Sequence, residues 1–216
     1  MSQKLTIIFD LDGTLVDSKP DLCASINHVR QAYSLPPISE KEIGGLIGDG
    51  AGVLIQRVLE EKASRSNVKS GLEMFLCYYR EHMLDETGLY DGVEDSLCSL
   101  GDCQLAVLTN KPYLFTCAML EGLGIGQHFS VIYGGNSFAR KKPDPVGVYR
   151  ILSDTKSDIE SAWIVGDSAV DVLTGRNAGI TTCGVTYGYA ADSFEDASPD
   201  FLIDTITELN ELIKRQ

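Results

Sequence analysis

Five short apolar runs, each closed at its C-terminal end by acidic, glycine or small polar residues, constrain this chain more than any other feature. Residues 5–10 read LTIIFD; the run 105–108 leads into Thr109-Asn110, Val131–Tyr133 into Gly134-Gly135, 162–165 into Gly166-Asp167, and Thr181–Val185 into Thr186. A short apolar run without polar alternation predicts a strand buried on both faces, as in a parallel sheet. Helical patterns separate the runs. Leu114, Cys117, Ala118 and Leu120 share helical spacing, and residues 146–152 and Ala169–Ala178 read similarly. Strand and helix in alternation predict an α/β fold, a Rossmann-like core around a mostly parallel sheet. In such sheets ligands bind beyond the carboxyl ends of the strands, where these polar residues fall.

Residues 19–85 carry no strand signal. Leu22, Ile26 and Val29 lie on one helical face, as do Val53 or Leu54 with Arg57 and Val58, and residues 72–83 (LEMFLCYYREHM) form a strong helical run. The pattern predicts an all-helical domain at 17–86, inserted after the first strand of an α/β core domain comprising 1–16 and 87–216. Its expected boundaries are Asp17-Ser18-Lys19-Pro20 and Glu86-Thr87-Gly88. Within it, residues 44–52 (GGLIGDGAG) hold five glycines in nine positions. Such a loop lets backbone amides approach an anion, or serves as a flexible connector. Its place before a helix beginning near Val53 favours the anion contact, with Gly48 and Gly50 as candidate substrate-binding residues.

The chain has 216 residues, 44% hydrophobic and 23% charged, enough for a packed core in one domain with an insert. Its net charge of −13 repels a phosphate backbone, which argues against a nucleic-acid partner. The same charge repels a small anionic substrate, so such a substrate needs a local cationic site. None of the six cysteines forms a C-x-x-C pair; Cys23, Cys117 and Cys183 read as reduced core residues. With no signal peptide and no apolar run long enough to span a bilayer, the expectation is a cytoplasmic protein with no membrane partner. Whether it is a monomer or a homodimer is left open. His28, His82 and His128 lack a second histidine at metal spacing and read as structural or surface residues, and Trp163 as a core residue.

The chemistry concentrates at strand ends. Asp10 and Asp12 point the same way by the period-two rule, and Gly13 permits a tight turn beside them. Two adjacent carboxylates need a cation or a shared proton. Either arrangement suits phosphoryl transfer, one carboxylate attacking phosphorus and the other carrying a proton. Thr109 and Asn110 offer neutral donors for phosphate oxygens, or a simple helix cap. Lys142, held before Pro143, can neutralise developing charge; Lys141 is its rival by one position. Asp167 and Asp171, four apart at a helix start, lie on one face, unless Asp167 is only an N-cap. Mg²⁺ prefers oxygen ligands and keeps several waters, so one or two carboxylates suffice to hold it.

The string Phe9-Asp10-Leu11-Asp12-Gly13-Thr14-Leu15-Val16-Asp17-Ser18 resembles motif I of the haloacid dehalogenase superfamily. Leu108-Thr109-Asn110 resembles motif II, Arg140-Lys141-Lys142-Pro143-Asp144-Pro145 motif III, and Val165-Gly166-Asp167-Ser168-Ala169-Val170-Asp171 motif IV. The four occur in order across nearly the whole chain. The resemblance implies a Mg²⁺-dependent phosphatase in which Asp10 is a covalent nucleophile and Asp12 a general acid and base. It places the catalytic lysine immediately before proline, at Lys142. It implies a metal held by the Asp10 carboxylate, the Asp12 backbone carbonyl and the Asp167 carboxylate, with Asp171 orienting water or Lys142. The helical insert resembles the cap that excludes water and selects a small anionic phosphorylated substrate.

A narrower similarity, to phosphoglycolate phosphatases, rests on Tyr90-Asp91-Gly92-Val93, Arg176-Asn177-Ala178-Gly179, Tyr187-Gly188-Tyr189 and Pro199-Asp200. Phosphatases or pyrophosphatases for other small phosphate compounds are the alternative. A phosphomutase fits less well, because its relatives carry Glu-Asp where this chain has Gly166-Asp167. Asp12 argues against a dehalogenase, and the lack of a lysine in the 44–52 loop against a phosphonatase. A non-enzymatic phosphate-binding protein would be expected to lose a catalytic carboxylate, and none is missing.

Overall fold

A computed structural model describes residues 4–215. The chain runs β1 (Thr6–Phe9), β2 (Val16–Asp17), α1 (Lys19–Ala32), α2 (Glu40–Ile43), α3 (Ala51–Val58), α4 (Arg65–His82), β3 (Gly88–Leu89), α5 (Val93–Ser99), β4 (Gln104–Leu108), α6 (Tyr113–Gly122), β5 (Val131–Tyr133), α7 (Val146–Thr155), β6 (Ala162–Gly166), α8 (Ala169–Ala178), β7 (Thr181–Val185), β8 (Phe201–Ile203) and α9 (Thr207–Lys214). Six strands form one sheet in the order β5-β4-β1-β6-β7-β8, with every pairing parallel. The α/β class expected from the apolar runs is the one observed.

The strand order explains where the site lies. From β1 the chain builds outward through β4 and β5, then returns to β6 on the other side of β1 and builds outward again. The order reverses at β1, so the crevice of the fold opens at its carboxyl end. Side-chain alternation buries β1 on both faces. Ile7 and Phe9 join α5, α6 and α9 through Val93, Leu97, Met119, Leu120 and Leu209. Ile8 joins α7 and α8 through Val148, Ile151 and Ala178.

Helices α1 to α4 lie between β2 and β3. Leu22, Ile26 and Val29 of α1 are buried, as are Phe75 and Tyr79 of α4. Gly71 lets these helices approach closely: a Cβ there would meet Ile55, Leu59 and Val29 at 3.1–3.4 Å. Leu54 points into this core and Val53 outward, which decides between the two candidates for the buried face of α3.

Three cysteines were expected in the core, and two are there. Cys117 is only half-buried, because Phe115, Thr116, Met119 and Leu120 form the inward face of α6. All six thiols are free.

The two chain segments that bracket α1 to α4 are tied together. β2 pairs antiparallel with β3, Val16 opposite Leu89 and Asp17 opposite Gly88. One turn on, the buried Asp21 carboxylate accepts from the backbone N–H groups of Glu86 (3.1 Å) and Thr87 (2.9 Å) and from the Thr87 hydroxyl (2.7 Å). Replacing Asp21 with Ala orphans the two buried Thr87 donors and frees the Glu86 amide. We expect Asp21→Ala to lower unfolding stability by about 2–4 kcal/mol, measured by urea denaturation. A loss near zero would show that water satisfies the Glu86–Thr87 backbone and that Asp21 is not the tie.

Candidate active site

The carboxyl ends of β1, β4 and β6 deliver Asp10, Thr109 and Asp167 to one point, because these strands are neighbours in register. Lys142 arrives from the loop before α7, through a cis Lys142–Pro143 peptide. Its Nζ lies 2.6 Å from Asp171 Oδ1 and 2.9 Å from Asp10 Oδ1. Lys142 and Asp171 are both almost wholly buried. Lys141, the rival by one position, is exposed at the rim.

Asp171 does two jobs. Its Oδ1 holds Lys142, and its Oδ2 accepts from the Ser168 amide (3.2 Å) and hydroxyl (2.7 Å), closing a capping box on α8. Ser168 is therefore the N-cap, and Asp167 is free to face the site. Asp167 Oδ2 accepts from the Tyr189 amide at 2.7 Å. Glycine makes this packing possible: a Cβ on Gly13 or Gly188 would occupy the space of the Asp167 side chain, and one on Gly166 that of Asp171.

Asp10, Asp167 and Asp171 offer carboxylate oxygens within 4.8 Å of one another. Asp10 Oδ1 is buried and, despite the nearby Lys142 charge, has no aligned hydrogen-bond donor. Burial, with a smaller push from Asp171 and against the pull of Lys142, raises Asp10 to about 6. Burial, then Asp171 and Asp10, raises Asp167 to about 8. Burial pulls Lys142 down, but Asp10 and Asp171 outweigh it and hold its ammonium above the usual lysine range. Crowded anionic oxygens, one of them orphaned, fit a hard divalent cation.

Asp12 lies beside this cluster with different partners. The Ser18 hydroxyl donates to its Oδ1 at 2.5 Å. Lys111 Nζ donates to its Oδ1 (2.9 Å) and Oδ2 (3.1 Å), and to the Tyr79 hydroxyl on α4 (2.7 Å). Lys111 is almost wholly buried; burial lowers its pKa, but Asp12 and Tyr79 outweigh that and raise it. Burial pushes the Tyr79 phenol up to about 12.

Lys111, Tyr79, Ser18 and the Tyr189 amide were not among the sequence-based candidates. A signal for Lys111 was present: like Lys142, it directly precedes a proline, Pro112.

One expectation changes. The Asn110 side chain, expected as a phosphate donor, is committed elsewhere. Its amide donates to the carbonyls of Gly48 (2.8 Å) and Lys142 (3.1 Å), and its Oδ1 accepts from the Lys142 amide (3.0 Å). Asn110 thus braces the lysine loop and the glycine loop. The Gly48 carbonyl accepts from Asn110, and Gly48 (φ +116°) and Gly50 (φ +89°) both line the cavity. Asp49 points away, paired with Arg57 at 2.5 Å. The Thr109 hydroxyl accepts from the Lys111 amide at 3.2 Å and keeps its own proton for a ligand.

These residues line a cavity of about 60 Å³, room for a handful of water-sized groups. Asp10, Asp12, Thr109, Lys111 and Asp167 form its polar side; Leu22, Leu54, Phe75, Leu76 and Tyr79 of the helical insert close it from the other.

Residues 7–185 match the haloacid dehalogenase-like hydrolase family. The chain belongs to that family and is an enzyme of its phosphatase class. It is 34% identical to a phosphoglycolate phosphatase of Colwellia psychrerythraea, over 100% of this chain and 99% of that protein. It is 37% identical to a phosphoglycolate phosphatase of Vibrio cholerae, over 96% of each. A crystal structure described as a predicted phosphoglycolate phosphatase from Haemophilus somnus superposes with a TM-score of 0.92 at 33% identity, covering 99% of both chains. No helix among the described residues is long and apolar enough to cross a membrane.

A divalent cation bound at this carboxylate cluster would release protons. Asp10 and Asp167 titrate near 3.8 when unfolded and near 6 and 8 when folded without metal. Raised carboxyl values mean that stability is fully present at low pH and is lost as pH rises through the folded values. A divalent cation relieves that loss. The Mg²⁺-induced rise in melting temperature should therefore grow from about pH 5.5 to about pH 8.5 in scanning fluorimetry. A rise that is flat or shrinks with pH would place the metal away from these carboxylates.

Proposed function

We propose that this chain is a Mg²⁺-dependent phosphoglycolate phosphatase that works through an aspartyl-phosphate on Asp10. The observation that carries the chemistry is the division of two carboxylates between two environments. Asp10 sits in the cation-seeking cluster with Lys142, Asp167 and Asp171, while Asp12 faces Ser18 and Lys111 on the cavity side. The substrate reading is supported by the full-length relatives named phosphoglycolate phosphatase and by the small cavity.

In the first step an Asp10 carboxylate oxygen attacks phosphorus. The bond from phosphorus to the glycolate oxygen breaks, and Asp12 gives its proton to that oxygen. In the second step water attacks the phosphorus of the aspartyl-phosphate, Asp12 takes the water's proton, and the Asp10–phosphorus bond breaks to release inorganic phosphate. Lys142, fixed by Asp171, holds positive charge beside the reacting oxygens throughout. The Thr109 hydroxyl is aimed to bind a phosphate oxygen. The carboxylates of Asp10 and Asp167 and the Asp12 carbonyl would hold Mg²⁺, which would supply further charge neutralisation on the phosphoryl group. Helices α1 to α4 act as a cap, whose apolar side chains keep bulk water from the intermediate.

Among a panel of phosphoglycolate, sugar phosphates, nucleotides, pyrophosphate and an aryl phosphate, phosphoglycolate should give the highest kcat/KM with Mg²⁺ present. Asp10→Asn should lose at least about 1,000-fold in kcat while keeping the wild-type circular dichroism spectrum. Chelation should abolish turnover and Mg²⁺ restore it, with Ca²⁺ a poor substitute because it takes more ligands at longer distances. Near-wild-type turnover by folded Asp10→Asn would rule out the covalent route, and a different best substrate would rule out phosphoglycolate.

A further inference from the structure

We propose that Lys111 is the specificity residue that binds the carboxylate of the leaving group, and that the substrate claims it by drawing it away from Asp12. This rests on the reading of the chain as a phosphatase for a small phosphorylated acid.

The argument begins with charge. The chain carries −13, and three carboxylates line the cavity. A dianionic phosphoryl group is answered by Lys142 and by the cation-seeking cluster around Asp10. A second negative charge on the same small substrate needs an answer of its own. Among the described residues lining the cavity, Lys111 is the one cation. The wall around it is apolar, built from Leu22, Leu54, Phe75, Leu76 and Phe115. A carboxylate buried there without a charged partner would be strongly disfavoured.

Position selects the same residue. Asp12 protonates the leaving oxygen, so the leaving group lies against Asp12. In phosphoglycolate the carboxylate is separated from that oxygen by a single methylene. The ammonium bonded to both Asp12 oxygens is therefore the cation nearest that end of the substrate. The glycine loop, the other candidate for this task, carries no positive charge at 44–52, and its Gly48 carbonyl is committed to the Asn110 amide.

Lys111 is also prepared for exchange. Its ammonium protons go to Asp12 Oδ1, Asp12 Oδ2 and the Tyr79 hydroxyl. A substrate carboxylate that accepts one of the ammonium N–H groups now given to Asp12 leaves Tyr79 as the fixed anchor. Because Tyr79 belongs to α4 of the insert and Lys111 to the strand-end loop of the core, the bound carboxylate is read where the two parts meet. A neutral leaving group makes no such exchange and leaves Lys111 on Asp12.

The test compares phosphoglycolate with 2-hydroxyethyl phosphate, which has a hydroxymethyl group in place of the carboxylate. kcat/KM is measured for both with Mg²⁺-loaded wild type, Lys111→Met and Lys111→Arg. The ratio of the two values is independent of how much of a variant is folded. Wild type should prefer phosphoglycolate. Lys111→Met should shrink that preference by roughly 10- to 100-fold, the worth of a hydrogen bond between charged groups, and Lys111→Arg should restore part of it. A Lys111→Met protein that loses both substrates equally and keeps the wild-type ratio would overturn the inference, leaving Lys111 as a support for Asp12. Wild type with no preference for phosphoglycolate would overturn the inference together with the substrate reading, and that outcome is visible in the wild-type data alone.

Discussion

Everything at the site depends on a buried contest of charge at the end of β1. Three carboxylates, Asp10, Asp167 and Asp171, share a space in which Lys142 is the one cation paired with them among the described residues. Such a cluster persists only where rigid backbone holds it, since like charges in a poorly solvated site drive one another apart. The central strand provides that rigidity. β1 has neighbours on both edges and apolar layers on both faces, so Asp10 inherits a tightly constrained position. The glycines at 13, 166 and 188 are part of the same solution. They leave room for carboxylates to pack at distances any larger residue would prevent.

The second ionic group has a different character. Lys111, Asp12 and Tyr79 form a chain that crosses from core to insert, and its charge is balanced without outside help. One group needs a cation and the other is complete. That difference would let two aspartates separated by a single residue, Asp10 and Asp12, serve different chemistry.

Much of this was legible in the residues. The runs ending at Asp10, Thr109 and Asp167 gave away the sheet and its functional edge, because a parallel strand buried on both faces is apolar throughout and becomes polar only where it emerges. Strand β8 gives a weaker signal: its apolar run, Phe201-Leu202-Ile203, is three residues long and sits at the sheet edge with Leu202 exposed. The short β2–β3 pair has two residues on each side, too few for any periodicity. Lys111 went unseen because a lone lysine is most often a solvated one, and its burial is caused by Tyr79, 32 positions away in the chain. The direction of the Gly48 carbonyl is a matter of backbone rotation, which glycine composition leaves undetermined.

The β2–β3 pair also bears on how such a chain folds. β1 must find β4, Thr6 opposite Gln104, across the whole helical insert. Closing so long a loop carries an entropic cost and slows a fold built on distant contacts. The insert buries apolar residues such as Ile26, Val29, Ile55, Leu59 and Phe75, and its two ends meet where Val16 faces Leu89 and Asp21 grips Thr87. Once that junction forms, the effective distance between β1 and β4 falls to that of a short connection. The sheet then assembles as though the four helices were a tight turn, so an insert of this kind can differ in size and sequence without altering the kinetic problem the core has to solve.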